Sequence, residues 1–415
     1  MANWRRITGA AGLVVGAAVA SAGAIVAAER IAVSRLRSRS GKPGGEPLGT
    51  LRGRELTVLA SDGIPLHVEI DGPDDAPLTI VFCHGYTLNQ DCWHFQRRDL
   101  GDHRLVFWDQ RDHGRSGRAD PSCATIDQLG ADLKAVIDAA APGPTPVVLA
   151  GHSMGGMTIM ALAEQHPGMF GTKVAGAVLI NTAAGGLQGG SPWMPSPVRP
   201  ALARALPLVL HSTAGGRRAA LVERGRRVSP DLSFLGTRLI GFGDGEVSPV
   251  AVTFLEQMIR ATPMDVVARY GEMLLTCDRR GSLPILGKIP VVVMVGEKDR
   301  LLAPQLGIEL AAGIPGAQLI WVPGAGHALI MERPDLVTDA IIALLAQVAA
   351  GDLPRSACPA ASRSRSRPRP RCAPSGGAWQ ACSGPGTWSY SAVPSARGRP
   401  PWSRGSVPDW ACAGR

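Results

Sequence analysis

The chain has 415 residues, enough to bury a large core in one to three domains, and its formal charge of +9 is concentrated at the two ends. Residues 1–45 carry +6 and residues 352–415 carry +8, which leaves the middle at −5 and removes the main support for a nucleic-acid partner of the folded part. Eight scattered cysteines with no C-x-x-C pair indicate neither a zinc site nor a disulfide framework.

Taken in order, the chain opens with Trp4-Arg5-Arg6 and then holds no charge over residues 7–28, which is 22 positions and long enough to cross a bilayer as a helix. The stretch reads as an anchor that ties the protein to a cell membrane, its length exceeding the usual apolar core of a signal. The small residues Ala18-Val19-Ala20 keep a cleaved export signal open. Arg30, Arg35, Arg37, Arg39 and Lys42 outweigh Arg5 and Arg6, so the positive-inside rule would hold the body in the cytoplasm, whereas a signal would export it. A Ser/Gly/Pro/Lys linker follows, and the globular domain is expected over residues 46–351.

Eight apolar runs read as strands, at 55–60, 66–70, 78–83, 104–108, 146–150, 174–180, 290–295 and 318–322, the first two joined by a turn at Ser61-Asp62-Gly63. Helical spacing marks 126–140, 154–165 and 335–348. Strands alternating with helices predict a three-layer α/β fold around a mostly parallel eight-stranded sheet. Between the sixth and seventh strands, about 182–285, the alternation stops. The Pro, Gly, Met and Leu content there, with helical patches such as 249–260, predicts a helical cap that lines a substrate pocket. From residue 352 the Arg/Pro/Ser-rich tail lacks apolar periodicity and is expected to be disordered.

Chemistry centres on Gly151-His152-Ser153-Met154-Gly155, a G-x-S-x-G match directly after the fifth strand and at the head of a helix. So sharp a turn needs little bulk two residues to either side of the serine, and glycines fill both places. A serine hydroxyl needs a base, and the base needs an acid. His327 follows the eighth strand and is the only histidine after Asp299, which follows the seventh; Glu297 is the alternative acid. The end of the sixth strand, where an acid could also sit, offers Asn181. His84-Gly85-Tyr86-Thr87 ends the third strand, so the Tyr86 amide is the expected oxyanion donor beside that of Met154. His84 and His152 are read as structural.

Residues of about 50–350 resemble the α/β-hydrolase superfamily through HGY at 84–86, DQRDHGRSG at 109–117, GHSMGG at 151–156, GEKD at 296–299 and GAGH at 324–327. Asp112 stands where that second block usually has glycine. The resemblance implies an α/β-hydrolase fold with Ser153 as nucleophile, His327 as base and Asp299 as acid, working without metal or organic cofactor. Similarity to monoacylglycerol-lipase-like members implies a lipid or medium-chain ester substrate. The alternatives of the same fold are a proline-type peptidase, a haloperoxidase-like enzyme and a carbon–carbon hydrolase; from another class comes a non-catalytic membrane-tethered binding protein.

Overall fold

Strands form where the sequence offers short runs of β-branched and aromatic residues between turn formers. In the computed structural model, residues 47–187 and 230–351 are described. Eight strands, β1 (Arg54–Leu59), β2 (Pro65–Asp71), β3 (Thr79–Cys83), β4 (Arg104–Trp108), β5 (Val147–His152), β6 (Val174–Ile180), β7 (Val291–Gly296) and β8 (Gln318–Val322), make one sheet in the order β1-β2-β4-β3-β5-β6-β7-β8. β1 and β2 pair antiparallel with each other, β2 runs antiparallel to β4, and the other pairs are parallel. Every expected strand is present. β5 runs two residues further than its apolar core because Gly151 and His152 still pair with Leu179 and Ile180.

The helices in chain order are α1 (His94–Asp99), α2 (Ile126–Ala140), α3 (Met154–Gln165), α4 (Pro230–Gly241), α5 (Pro249–Ala261), α6 (Met264–Thr276), α7 (Leu283–Leu286), α8 (Pro304–Gly313), α9 (Leu329–Glu332) and α10 (Pro334–Ala349). α2 starts where the Thr125 hydroxyl accepts from the Gln128 amide at 3.1 Å, a side-chain N-cap. β3, β4 and β5 are buried along their whole length, so alternate residues feed two cores. Val81, Cys83, Val147 and Leu149 face α2 and α3, while Ile80, Phe82, Val148 and Ala150 share the opposite core with Leu100 and with Ile341 and Leu344 of α10. The result is the expected three layers, with β5 near the centre.

Helices α4 to α7 occupy the chain between β6 and β7, as the broken rhythm predicts, and α5 and α6 bury Ala251, Leu255, Val266 and Tyr270. Residues 188–229, which belong to the same insertion, lie outside the described residues. So do the apolar segment at 7–28 and the tail from 352. Among the described residues no helix is long and apolar enough to cross a membrane.

Candidate active site

Four residues other than glycine have positive φ among the described residues: Thr87 (61°), Asp112 (66°), Ser153 (53°) and Asn181 (43°). They follow β3, β4, β5 and β6, so unfavourable backbone is gathered at the C-terminal edge of four neighbouring strands.

Ser153 sits at φ 53° and ψ −118°, between β5 and α3, in the N-cap position of the helix. Serine usually caps with its hydroxyl, yet here the side chain makes no capping bond. Its backbone is held instead. The Ser153 amide donates to the Ile180 carbonyl at 3.0 Å, and the Thr182 hydroxyl donates to the Ser153 carbonyl at 2.7 Å. Glycines allow this packing. A Cβ on Gly155 would lie 2.1 Å from the Cys83 carbonyl oxygen, and one on Gly156 would lie 2.5 Å from Thr182 Cγ2. Gly155→Ala is therefore expected to destabilise the protein by at least about 2 kcal/mol, since the obstruction is β3 backbone that cannot swing aside. A urea midpoint indistinguishable from the parent would contradict that close approach.

The loop after β3 lies against this turn, where a Cβ on Gly85 would fall 3.3 Å from Ser153 Cβ and 2.8 Å from His152 Nδ1. His84 fixes it. The Gln110 amide donates to His84 Nε2 at 2.9 Å, so the proton rides on Nδ1, which donates to the Gly85 carbonyl at 2.8 Å. Burial pulls the His84 pKa down to about 4, keeping the ring neutral. Beyond it the Tyr86 hydroxyl reaches the Val267 carbonyl of α6, and the Thr262 hydroxyl donates to the Thr87 carbonyl at 3.0 Å. Met154 is the first residue of α3, where an amide has no acceptor within its own helix.

His327 and Asp299 meet as expected, with Nδ1 and Oδ2 2.7 Å apart and both residues buried. A carboxylate at this pair accepts, so the Nδ1 proton points at Asp299 and Nε2 carries the lone pair. The other oxygen, Oδ1, takes the amides of Leu301 and Leu302 at 2.8 and 2.9 Å. Glu297 is turned away. Its carboxylate accepts from the Gly324 amide at 2.8 Å, so Asp299 alone of the two acids reaches the imidazole.

Asp112 explains its own departure from the usual glycine. At φ 66° glycine would be unstrained, but aspartate tolerates this region, and its carboxylate is used on both sides. Oδ1 accepts from the Ala119 amide at 2.9 Å and Oδ2 from the Tyr270 hydroxyl of α6 at 3.0 Å. Burial, then the neighbouring Asp112 charge, pushes the Tyr270 phenol well above its ordinary pKa, so it stays a donor. Arg111 anchors the same turn through paired bonds to Asp132 at 2.6 and 2.7 Å and to Asp62 at 2.7 and 3.1 Å.

Asn181 and Tyr270 carried no functional assignment from sequence. Asn181 was visible as a polar residue closing an apolar strand, but its contacts lie more than a hundred residues away, as do those of Tyr270. Away from this edge, Glu55, His67 and Glu69 bring three ligand-type atoms within 4.8 Å of one another. Arg97 already holds the Glu69 carboxylate at 2.6 Å, and Arg115 bonds it as well, so a cation there would displace two guanidinium groups.

The chain is 28% identical over 294 residues to a pimeloyl-[acyl-carrier protein] methyl ester esterase of Stenotrophomonas maltophilia strain K279a, covering 69% of this chain and 99% of that one. Among solved structures it is similar to a thermophilic esterase from Thermogutta terrifontis, at 27% identity and a TM-score of 0.56 over 71% of this chain and 98% of the other. The enol-lactonase from Burkholderia xenovorans LB400 matches at 26% identity and a TM-score of 0.55, covering 70% of this chain and 100% of the other. The model of the alpha/beta hydrolase family matches residues 80–340, which run from within β3 into α10 and include every residue of the strand-edge cluster. With that match, the eight-stranded sheet and the sharp serine turn after β5, the chain belongs to the alpha/beta hydrolase family.

Proposed function

We infer that the protein is a serine hydrolase that cleaves carboxylic esters through Ser153, His327 and Asp299. The observation that carries this reading is the buried 2.7 Å His327–Asp299 pair at the same sheet edge as a serine held at φ 53° with its hydroxyl unused in capping. Ser153 Oγ attacks the ester carbonyl carbon while His327 Nε2 takes the hydroxyl proton. The oxyanion that forms is held by the Tyr86 and Met154 amides. As the C–O bond to the alcohol breaks, the imidazolium returns its proton to the leaving oxygen, and Asp299 steadies the charged ring meanwhile. Water, deprotonated by the same imidazole, then frees the acid from the serine.

Three similar proteins named as two esterases and an enol-lactonase support ester chemistry over the other readings. A lipid or medium-chain acyl group is favoured by the apolar helices over the sheet edge, where Leu239 and Val250 are more than half exposed. Membrane tethering through residues 7–28 would suit such a substrate.

The test is to assay full-length protein, in membrane and soluble fractions, on p-nitrophenyl esters from acetyl to palmitoyl beside peptide and peracid substrates. A fluorophosphonate adduct mapped to the Ser153 peptide, with ester turnover that rises with chain length, is the expected result. Folded protein that forms no adduct and turns over no ester removes the reading.

A further inference from the structure

The turn that carries His327 is weakly determined by its own sequence, since Gly324 (φ 70°), Ala325 and Gly326 precede it. What fixes it comes from two other strands. Asn181, one residue past β6, accepts the Gly296 amide on Oδ1 at 2.8 Å. An amide proton can only donate, so the carboxamide orientation is forced, and Nδ2 donates to the carbonyls of Gly326 at 2.8 Å and His327 at 2.9 Å. From β5, His152 Nε2 lies 2.9 Å from the same His327 carbonyl. A carbonyl only accepts, so Nε2 bears the proton and Nδ1 is a bare lone pair. That atom has no hydrogen-bond partner and is pressed against Gly85. Burial takes the His152 pKa down to about 3, so this tautomer persists at any ordinary pH.

We propose that Asn181 and His152 are positioning residues that clamp the His327 carbonyl with two donors and thereby set where the imidazole stands relative to Ser153. The clamp rests on the serine-hydrolase reading. His327 is then fixed at both ends, its ring by Asp299 and its backbone by the ends of β5 and β6, the former being the residue before the nucleophile. Displacing a reacting group by about 1 Å can cost on the order of a hundredfold in rate.

Methionine and glutamine share an unbranched shape, but only glutamine can place a donor near imidazole Nε2. His152→Met is expected to lower kcat by about 30-fold to 100-fold with KM changed less than about threefold, while His152→Gln restores most of the loss. Asn181→Gly suits a positive φ and removes the second donor, and combining it with His152→Met should cost less than the product of the two, because both act on one carbonyl. The low-field NMR resonance of the His327 Nδ1 proton gives a readout independent of turnover: it should broaden in His152→Met and survive in His152→Gln. If the methionine and glutamine variants match in kcat and in that resonance, the clamp is overturned. If the parent protein hydrolyses no ester while the resonance follows the donor pattern, the hydrolase reading falls and the clamp stands.

Discussion

Ser153→Ala is expected to lower kcat for p-nitrophenyl ester hydrolysis by roughly four to six orders of magnitude, the loss seen when the nucleophile of a working triad is removed. The residue is buried at the sheet edge and its hydroxyl caps no helix, so the substitution deletes the proposed nucleophile while leaving β5, α3 and their glycine contacts in place. Thermal stability should accordingly change by less than about 1 kcal/mol, which separates a chemical loss from an unfolded protein. His327→Ala should cost a similar factor, and the double variant little more than either single one, because nucleophile and base act as a unit. Residual turnover within tenfold of the parent in Ser153→Ala would place the chemistry elsewhere. Independent, multiplying losses would mean that the two groups serve different steps.

Acidification is expected to unfold the protein between about pH 6 and pH 4, well above the range where carboxylates alone would dominate. Three histidines are buried with their pKa values drawn down by desolvation, His84 to about 4 and His113 and His152 to about 3. The sign follows from comparing states. In the unfolded chain each takes a proton near pH 6.5, whereas the folded protein refuses it until far lower pH. Stability from these groups is therefore complete above about pH 6.5 and is lost as pH falls toward the folded values. Each contributes a slope of up to about 1.4 kcal/mol per pH unit, and three together about 4, so a typical stability of about 5–15 kcal/mol is consumed within a few pH units. The carboxylates are shifted in both directions: hydrogen bonds to Arg111 hold Asp62 low and those to Glu69 overcome its burial to hold it low, while burial raises Asp109 and Asp132. Calorimetry across this range should show Tm falling steeply, and His152→Gln should make the fall shallower. A Tm that holds constant from about pH 7 to pH 4.5 would mean that these rings are charged or hydrated in the native state.

Much of this was legible because of where the strands lie. β3, β4 and β5 are buried on both faces, so each had to be written as an unbroken apolar run, and such runs between turn residues are easy to find. The elbow was legible because its sterics demand glycines at fixed offsets from Ser153, and the His327–Asp299 contact because His327 is the only histidine after Asp299 and the resemblance places such a pair after the last two strands. α1 was missed, being six residues with no side-chain cap, and α8 was missed because its Pro-Gln-Leu-Gly start and small residues blur the helical period. The roles of Asn181 and Tyr270 had no local signature. An asparagine that reaches a carbonyl 146 residues later, or a tyrosine that meets an aspartate 158 residues earlier, becomes meaningful only when the sheet order brings the two together.

That sheet order also governs how the protein is made. The site joins β5 to a turn beyond β8, and the contact from His152 to the His327 carbonyl spans 175 positions, so the site is built from strongly non-local contacts. During synthesis β3 to β6 can pair before the insertion and the last two strands have been made, leaving the Asn181 side chain and the apolar face later covered by α10 without partners. The His327–Asp299 pair consequently forms last, as α9 and α10 close behind it, and a nascent chain stopped anywhere before that point carries a formed serine turn with no histidine beside Asp299.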